Sequence, residues 1–375
     1  MPPASLIVRC LLPVLWLSIC GGARASLPLN VWHDAVRQYP YHSSAGAFAN
    51  LQAIRQGVLF QEGPCKRTDQ HLLFDGQGRL LRVVPNHLDR LETQAGLNRA
   101  RFELAQKAQV RHWVPGQPNQ TGYPFALACE QPDVDMRAAM RRYLGVQAAD
   151  RFSGRWDGIQ VGSAKRPVSL HEALRQVYQA RKRQGRLTFP AAALGYLSGQ
   201  VVIESGGRRD VRSGAQAKGI LQLLPSVLKA CKVPTRDHLH RVAQIDCALR
   251  LTEQNHRVLW PPFKARFGHL PKEKREALYS FLLVQAYHGG LGRVRNLLQA
   301  PELSKPAEYF ARHHAHFSAG DMAFGMVFHN LGRQQLGMAS LYYVTDVALA
   351  SRHLCAQKAL RNDPACRAGP LQASR

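Results

Sequence analysis

The sequence predicts a mainly α protein, with a helical domain over 186–350 behind a smaller mixed α+β region over 26–185. Three observations carry this. From Leu187 onward the apolar pattern is helical almost throughout. Prolines and glycines in that half fall where helices start and stop. In the first half, two apolar runs flank a Gly-containing turn, the signature of a β-hairpin.

The elements follow in chain order. "HLLFDGQGRLLRVV", His71 to Val84, reads as the hairpin, turning at "DGQG". "LNRARFELAQKA", Leu97 to Ala108, has helical periodicity, and "VPGQPNQTGYP", Val114 to Pro124, is a loop by its Pro, Gly and Asn content. "DMRAAMRRYLG" is a short helix. "SLHEALRQVYQARKRQG" opens with a capping box, Ser169 with Glu172, and ends at Gly185. Its basic end, Arg181 to Arg186, suits the negative pole of the helix dipole and reads as a solvated charged face. "PAAALGYLSGQVVIES" is an apolar helix with Pro190 at its start and Gly206 and Gly207 just past its end. "KGILQLL" and "PSVLKAC" read as short helical pieces, the second opened by Pro225. "QIDCALRLTEQNHRVLW" is an amphipathic helix stopped by Pro261 and Pro262. "KEKREALYSFLLVQAY" is another, ended by "HGG", and "MASLYYVTDVALASRHL" is the last, before a tail over 351–375. The chain shows no internal repeat.

With 375 residues, 45% hydrophobic and 20% charged, the chain is globular rather than disordered. Its charge is unusual. Fifty Lys and Arg face 25 Asp and Glu, for a net charge of +25, so the surface attracts polyanions. The N-terminus narrows the choice of polyanion. Arg9, the apolar run Leu11 to Cys20 and "ARA" at Ala23 to Ala25 read as a signal peptide, 1–25, cleaved before Ser26. The run is too short to span a bilayer, which needs about 20 apolar residues. Bulky Ile19 before Cys20 makes a poor lipoprotein signal. The expected place is the periplasm or outside the cell, with no nucleic acid partner and no transmembrane segment after cleavage.

Cysteine usage agrees with export. Cys10 and Cys20 leave with the signal, and six remain: Cys65, Cys129, Cys231, Cys247, Cys355 and Cys366. Proximity favours Cys231–Cys247 and Cys355–Cys366, leaving Cys65–Cys129. No CxxC pair occurs and the histidines are scattered, so neither a metal site nor a cofactor is read.

The chemistry concentrates in "VVIESGGRRDVRSGAQAKGILQLLPSV", Val201 to Val227. Glu204 ends an apolar helix turn after Val201, Val202 and Ile203. Lost solvation there raises a carboxyl's pKa, which suits a general acid near neutral pH. Alone, Glu204 would pass for an exposed helix-end residue. The pattern around it resembles the soluble lytic transglycosylase family, a branch of the lysozyme-like superfamily. That family carries a catalytic "ES", a later Ser, and a "GA-x-G-L-M-Q" run followed by Pro. Here these are Glu204–Ser205, Ser213, and Gly219 to Gln222 with Pro225. "QAYHGGLGRV", with Tyr287, Gly290, Gly292 and Val294, resembles the family's "AYN-x-G-x-G-x-V", and "YVTDV" from Tyr343 resembles its terminal "YV" block. The resemblance covers the last half of the chain. Departures are Gln216 for Gly, Leu221 for Met, His288 for Asn, and Ala339 and Ser340 for an acidic-Thr pair.

The resemblance implies a lysozyme-like helical catalytic domain and a lytic transglycosylase acting on peptidoglycan. One acid, Glu204, would protonate the glycosidic oxygen between MurNAc and GlcNAc. The sugar's own N-acetyl group would stabilise the oxocarbenium charge. The same carboxylate would then take the 6-hydroxyl proton as a 1,6-anhydro ring closes, with no metal. Ser213 and Gln222 would hold the acetamido and hydroxyl groups. Tyr287 and Tyr343 would line the cleft, Tyr343 close enough to tune Glu204, and His288 would replace an amide contact. Asp210 and Asp246 are the nearby acids that could position a water for hydrolysis. Three alternatives stand beside this reading: a lysozyme-type muramidase, a chitin-active enzyme, and a non-catalytic wall-binding or scaffold protein of an envelope-spanning secretion or conjugation machine.

Overall fold

The structure, a computed structural model, describes residues 37, 40–60, 70–75, 79–107, 125–128 and 134–367. Residues 1–25, read above as a signal peptide, the expected loop Val114 to Pro124, the glycines of the hairpin turn, and Cys65 and Cys129 lie outside the described residues. Among those described, the protein is mainly helical, with thirteen α-helices and two small antiparallel sheets. No helix among them is long and apolar enough to cross a membrane.

The first part runs α1 (Ala47–Phe60), β1 (Gln70–Phe74), β2 (Leu80–Pro85), α2 (Arg90–Gln106), β3 (Phe125–Ala128) and α3 (Met136–Tyr143). The expected hairpin is present. β1 lies between β2 and β3, with His71 opposite Val84 on one side and Ala128 on the other. The register shifts between Leu73 and Phe74, as at a β-bulge. Leu73 and Val84 of this sheet pack against Leu97, Ala100 and Leu104 of α2 in a small core of their own. A second hairpin, β4 (Gly154–Trp156) with β5 (Ile159–Val161), precedes α4 (Leu170–Arg183). The capping box of α4 forms as expected: Ser169 Oγ accepts from Glu172 N, and the Glu172 carboxylate accepts from Ser169 N at 2.7 Å.

The rest is helical: α5 (Ala192–Ser205), α6 (Pro225–Ala230), α7 (Arg241–Phe267), α8 (Lys272–Gly289), α9 (Leu291–Gln299), α10 (Lys305–Arg312), α11 (Ala319–Phe328), α12 (Met338–Ala356) and α13 (Pro364–Arg367). α5 is the central helix. Every residue of it except Glu204 is buried. It lies against α12 and α8, and Gly199 sets the approach to α12: a Cβ there would overlap Ser351 Oγ and stand 2.6 Å from the Val347 carbonyl oxygen. The main core does not stop near residue 186. Phe48 and Leu51 of α1 and Val177 of α4 share one apolar cluster with Tyr196, Phe281 and Val347. Arg55 of α1, fully buried, pairs with buried Asp346 of α12.

Two short-range disulfides close as proximity suggests. Cys231–Cys247 joins the end of α6 to α7, and Cys355–Cys366 joins α12 to α13. Asp363, at the start of α13, meets Arg175 at 3.0 Å and His171 at 3.1 Å, which fastens this end of the chain to α4.

Three expectations are corrected. α7 does not stop at Pro261 and Pro262 but runs through both to Phe267. Each interior proline removes a backbone donor and crowds the preceding turn. Fully buried Leu259, Phe263 and Phe267 offset this, with the Phe263 ring 4.7 Å from Tyr279. "KGILQLL" is not helical. Lys218 and Leu223 exchange backbone hydrogen bonds, and Gly219 and Gln222 between them have φ of 73° and 45°. The basic end of α4 is not wholly solvated either. Arg181 is buried, with its guanidinium on Asp246 at 2.5 Å and Asp157 at 2.6 Å.

Candidate active site

Glu204 stands on the last turn of α5. Gly206 takes the left-handed conformation (φ 61°) that ends the helix, and the N–H groups of Gly206 and Gly207 close on the carbonyls of Val202 and Val201. Ser205, beside the acid, works inside the protein. Its hydroxyl donates to Ile220 O at 2.9 Å and accepts from Gly207 N at 3.0 Å, tying the helix end to the loop that follows.

That loop is held from α7 by buried Gln244, whose Nε2 donates to Lys218 O at 3.0 Å and whose Oε1 accepts from Leu221 N at 3.3 Å. Gly219 is required where the two meet, because a Cβ would run into the Gln244 amide. Gln222 has the left-handed φ that a side chain seldom adopts. Its Nε2 donates to Val211 O at 3.0 Å and Gly219 O at 2.8 Å, which holds that conformation. Ser213 closes a neighbouring turn, accepting from Ala217 N at 3.1 Å.

Four of the six sequence-derived residues converge. Tyr343, on α12, donates to Glu204 Oε1 at 2.5 Å. His288, on the last turn of α8, stacks on the Tyr343 ring at 4.2 Å and 14°. Tyr287 donates to Leu221 O, so α8 pins the loop. Burial raises the Tyr287 and Tyr343 hydroxyls well above their ordinary pKa, and the charge of Glu204 pushes both further. Ser213 and Gln222 do not join the group: the hydrogen bonds they make stay within the loop.

Burial pushes the Glu204 carboxyl up to about 7, against a smaller downward pull from the Tyr343 hydroxyl. His288 sits below the usual imidazole range, from desolvation first and then from Arg293 on α9. Asp246 is fully buried and committed to Arg181 and Arg250, and Asp210 is exposed. The site therefore centres on one carboxyl held near neutrality by apolar surroundings. Chemically it can donate and then recover a proton at neutral pH.

Sequence reasoning missed Gln200. Its Nε2 donates to Tyr343 Oη at 3.1 Å. That leaves the phenolic proton for Glu204 and fixes which way the hydroxyl points. The available signal was spacing: Gln200 lies four residues before Glu204, one turn down the same helix face, as an amide in an otherwise apolar run.

Against known proteins, the chain matches no protein-family model and no curated sequence.

Proposed function

We propose that the protein is a peptidoglycan lytic transglycosylase, cleaving MurNAc–GlcNAc bonds with formation of 1,6-anhydro-MurNAc ends, and that its helical half is a lysozyme-like catalytic domain. The feature that carries this reading is a single carboxyl at the one half-buried position of an otherwise buried helix, where desolvation pushes it up to about 7. A hydrolase of the two-carboxylate kind needs a partner acid. An acid that gives and then retrieves one proton needs none. With Tyr343 donating to Oε1, the transferable proton is carried on Oε2. It passes to the glycosidic oxygen as the C–O bond breaks, and the sugar's acetamido oxygen stabilises C1. The carboxylate then accepts the 6-hydroxyl proton while O6 bonds to C1, so the acid is regenerated and no water is consumed. The net charge of +25 would hold such an enzyme on an anionic sacculus in the periplasm.

The test is the mass of the released muropeptides. Ends lighter than reducing sugars by the mass of one water, about 18 Da, support transglycosylation, because the ring closes without hydrolysis. Reducing ends make the protein a muramidase. Glu204→Gln should lower turnover by about 10²–10⁴-fold, the usual weight of a general acid, while sacculus binding persists. Full activity in that variant would overturn the mechanism. Binding without turnover in the parent protein would favour a wall-bound scaffold.

A further inference from the structure

Three helices meet at one phenol. α5 supplies Gln200 and Glu204, α12 supplies Tyr343, and α8 supplies His288. The Tyr343 oxygen is fully used, accepting from Gln200 and donating to Glu204. Those two bonds hold the oxygen but leave the ring's outer face to be covered. His288 lies flat on the ring, at 4.2 Å and 14°. We propose that His288 is a positioning residue, whose stacked ring keeps the Tyr343 hydroxyl on Glu204, in place of the sugar contact its place in the motif suggests. As a role, this rests on the transglycosylase reading; as geometry, it can be tested without turnover.

The chemistry favours a ring over an amide here. A planar aromatic face packs against a phenol over its whole area and restricts rocking about χ2. An amide at this position, as in the resembling family, would cover less of it. The charged and titratable groups around the stack are Glu204 on α5, Tyr287 on α8, Tyr343 on α12 and Arg293 on α9. Desolvation first, and then Arg293, favours the neutral imidazole, which stacks on the phenol as a ring rather than as a cation. A loosened Tyr343 donates less well to Glu204. The carboxylate then loses a stabilising hydrogen bond, and its midpoint rises.

The experiment follows the Glu204 side-chain carbon by ¹³C NMR across pH in the full chain, with Glu204→Gln assigning the signal, beside kcat and KM on peptidoglycan. His288→Ala should raise the Glu204 midpoint by about half a pH unit, in the same direction as Tyr343→Phe. It should lower kcat about tenfold with little change in KM, as for an interaction felt in the transition state. His288→Phe, which restores a flat ring without a polar edge, should recover most of both; His288→Asn should behave like Ala. The proposal is overturned if Asn recovers the parent kcat while Phe does not, since that is a polar contact to the sugar. It is also overturned if Ala leaves the midpoint unmoved. His288 covers the Tyr343 ring with one face yet keeps solvent exposure at the surface end of the stack, so these variants retain the core. If the parent enzyme makes no anhydro ends, the NMR titration still decides the positioning role.

Discussion

A carboxyl that stays protonated near pH 7 does so at the expense of the fold, and Glu204 can be read in those terms. Its folded pKa is about 7, against 4.5 for the free side chain. Between those values the folded protein holds a proton that the unfolded chain has released, so stability falls as pH rises through this window. Above pH 7 the ionised, desolvated carboxylate costs up to about 3 kcal/mol, since each pH unit between the two midpoints is worth about 1.4 kcal/mol. Glu204→Gln should therefore be more stable than the parent at pH 8 by up to about that amount, with the gap closing below pH 4.5. Urea unfolding at about pH 4 and about pH 8, on either side of this window, measures it. A gap independent of pH would contradict the assignment. In the parent, kcat/KM should fall as pH rises past about 7. The direction of this shift is legible in the sequence, because Val201, Val202 and Ile203 precede the acid. The orientation of Ser213 and Gln222 is not. Their motif places both in one loop, but whether an amide turns outward or bonds its own backbone depends on local φ, and Gln222 turns inward.

Helices are legible where their caps are chemical and local. Ser169 with Glu172, Pro225 at the front of α6 and Gly206 behind α5 each act within one turn. They are illegible where distant packing decides, as at Pro261 and Pro262, whose cost is outweighed by the burial of Leu259, Phe263 and Phe267, with the Phe263 ring against Tyr279 of the next helix. The same reason hides the crossing of α5 and α12 at Gly199, although that crossing brings Tyr343 over Glu204. Gly199→Ala should force the two helices apart, costing about 1–3 kcal/mol as overpacking does. It should also weaken the Tyr343–Glu204 hydrogen bond, so that the alkaline limb of activity moves to higher pH. Adding Ser351→Ala should restore only part of the loss. It removes the Ser351 hydroxyl, but the Val347 carbonyl oxygen, 2.6 Å from the new methyl, remains. A thermal melt and a pH–rate profile on the single and double variants check both effects. Full rescue by Ser351→Ala would mean that the backbone approach is not limiting.

At the scale of the molecule, the candidate site is braced by residues from well before it in the chain. α1 shares the main core with α12, and the Arg55–Asp346 pair lies inside that contact, three residues along α12 from Tyr343. Both side chains are almost fully buried, at 1% and 3% exposure, and Arg55 also lies 5.5 Å from the centre of the Tyr342 ring. Neither partner predicts this pairing from sequence, since 291 positions separate them. Two buried charges gain little over two apolar residues of like volume, but removing one alone is costly. Asp346→Ala should therefore destabilise the protein by about 3–5 kcal/mol. The double variant Arg55→Met, Asp346→Leu should return close to the parent, because both desolvated charges are gone. If α1 and the helical half unfold as one unit, urea melts of the single variant shift one cooperative transition. If the region before residue 186 folded separately, a second transition would stay at the parent midpoint. Activity adds a further readout. A double variant that regains stability and keeps kcat would make the pair a brace for the fold, whereas regained stability with kcat still depressed would mean that the charges also set where α12 holds Tyr343.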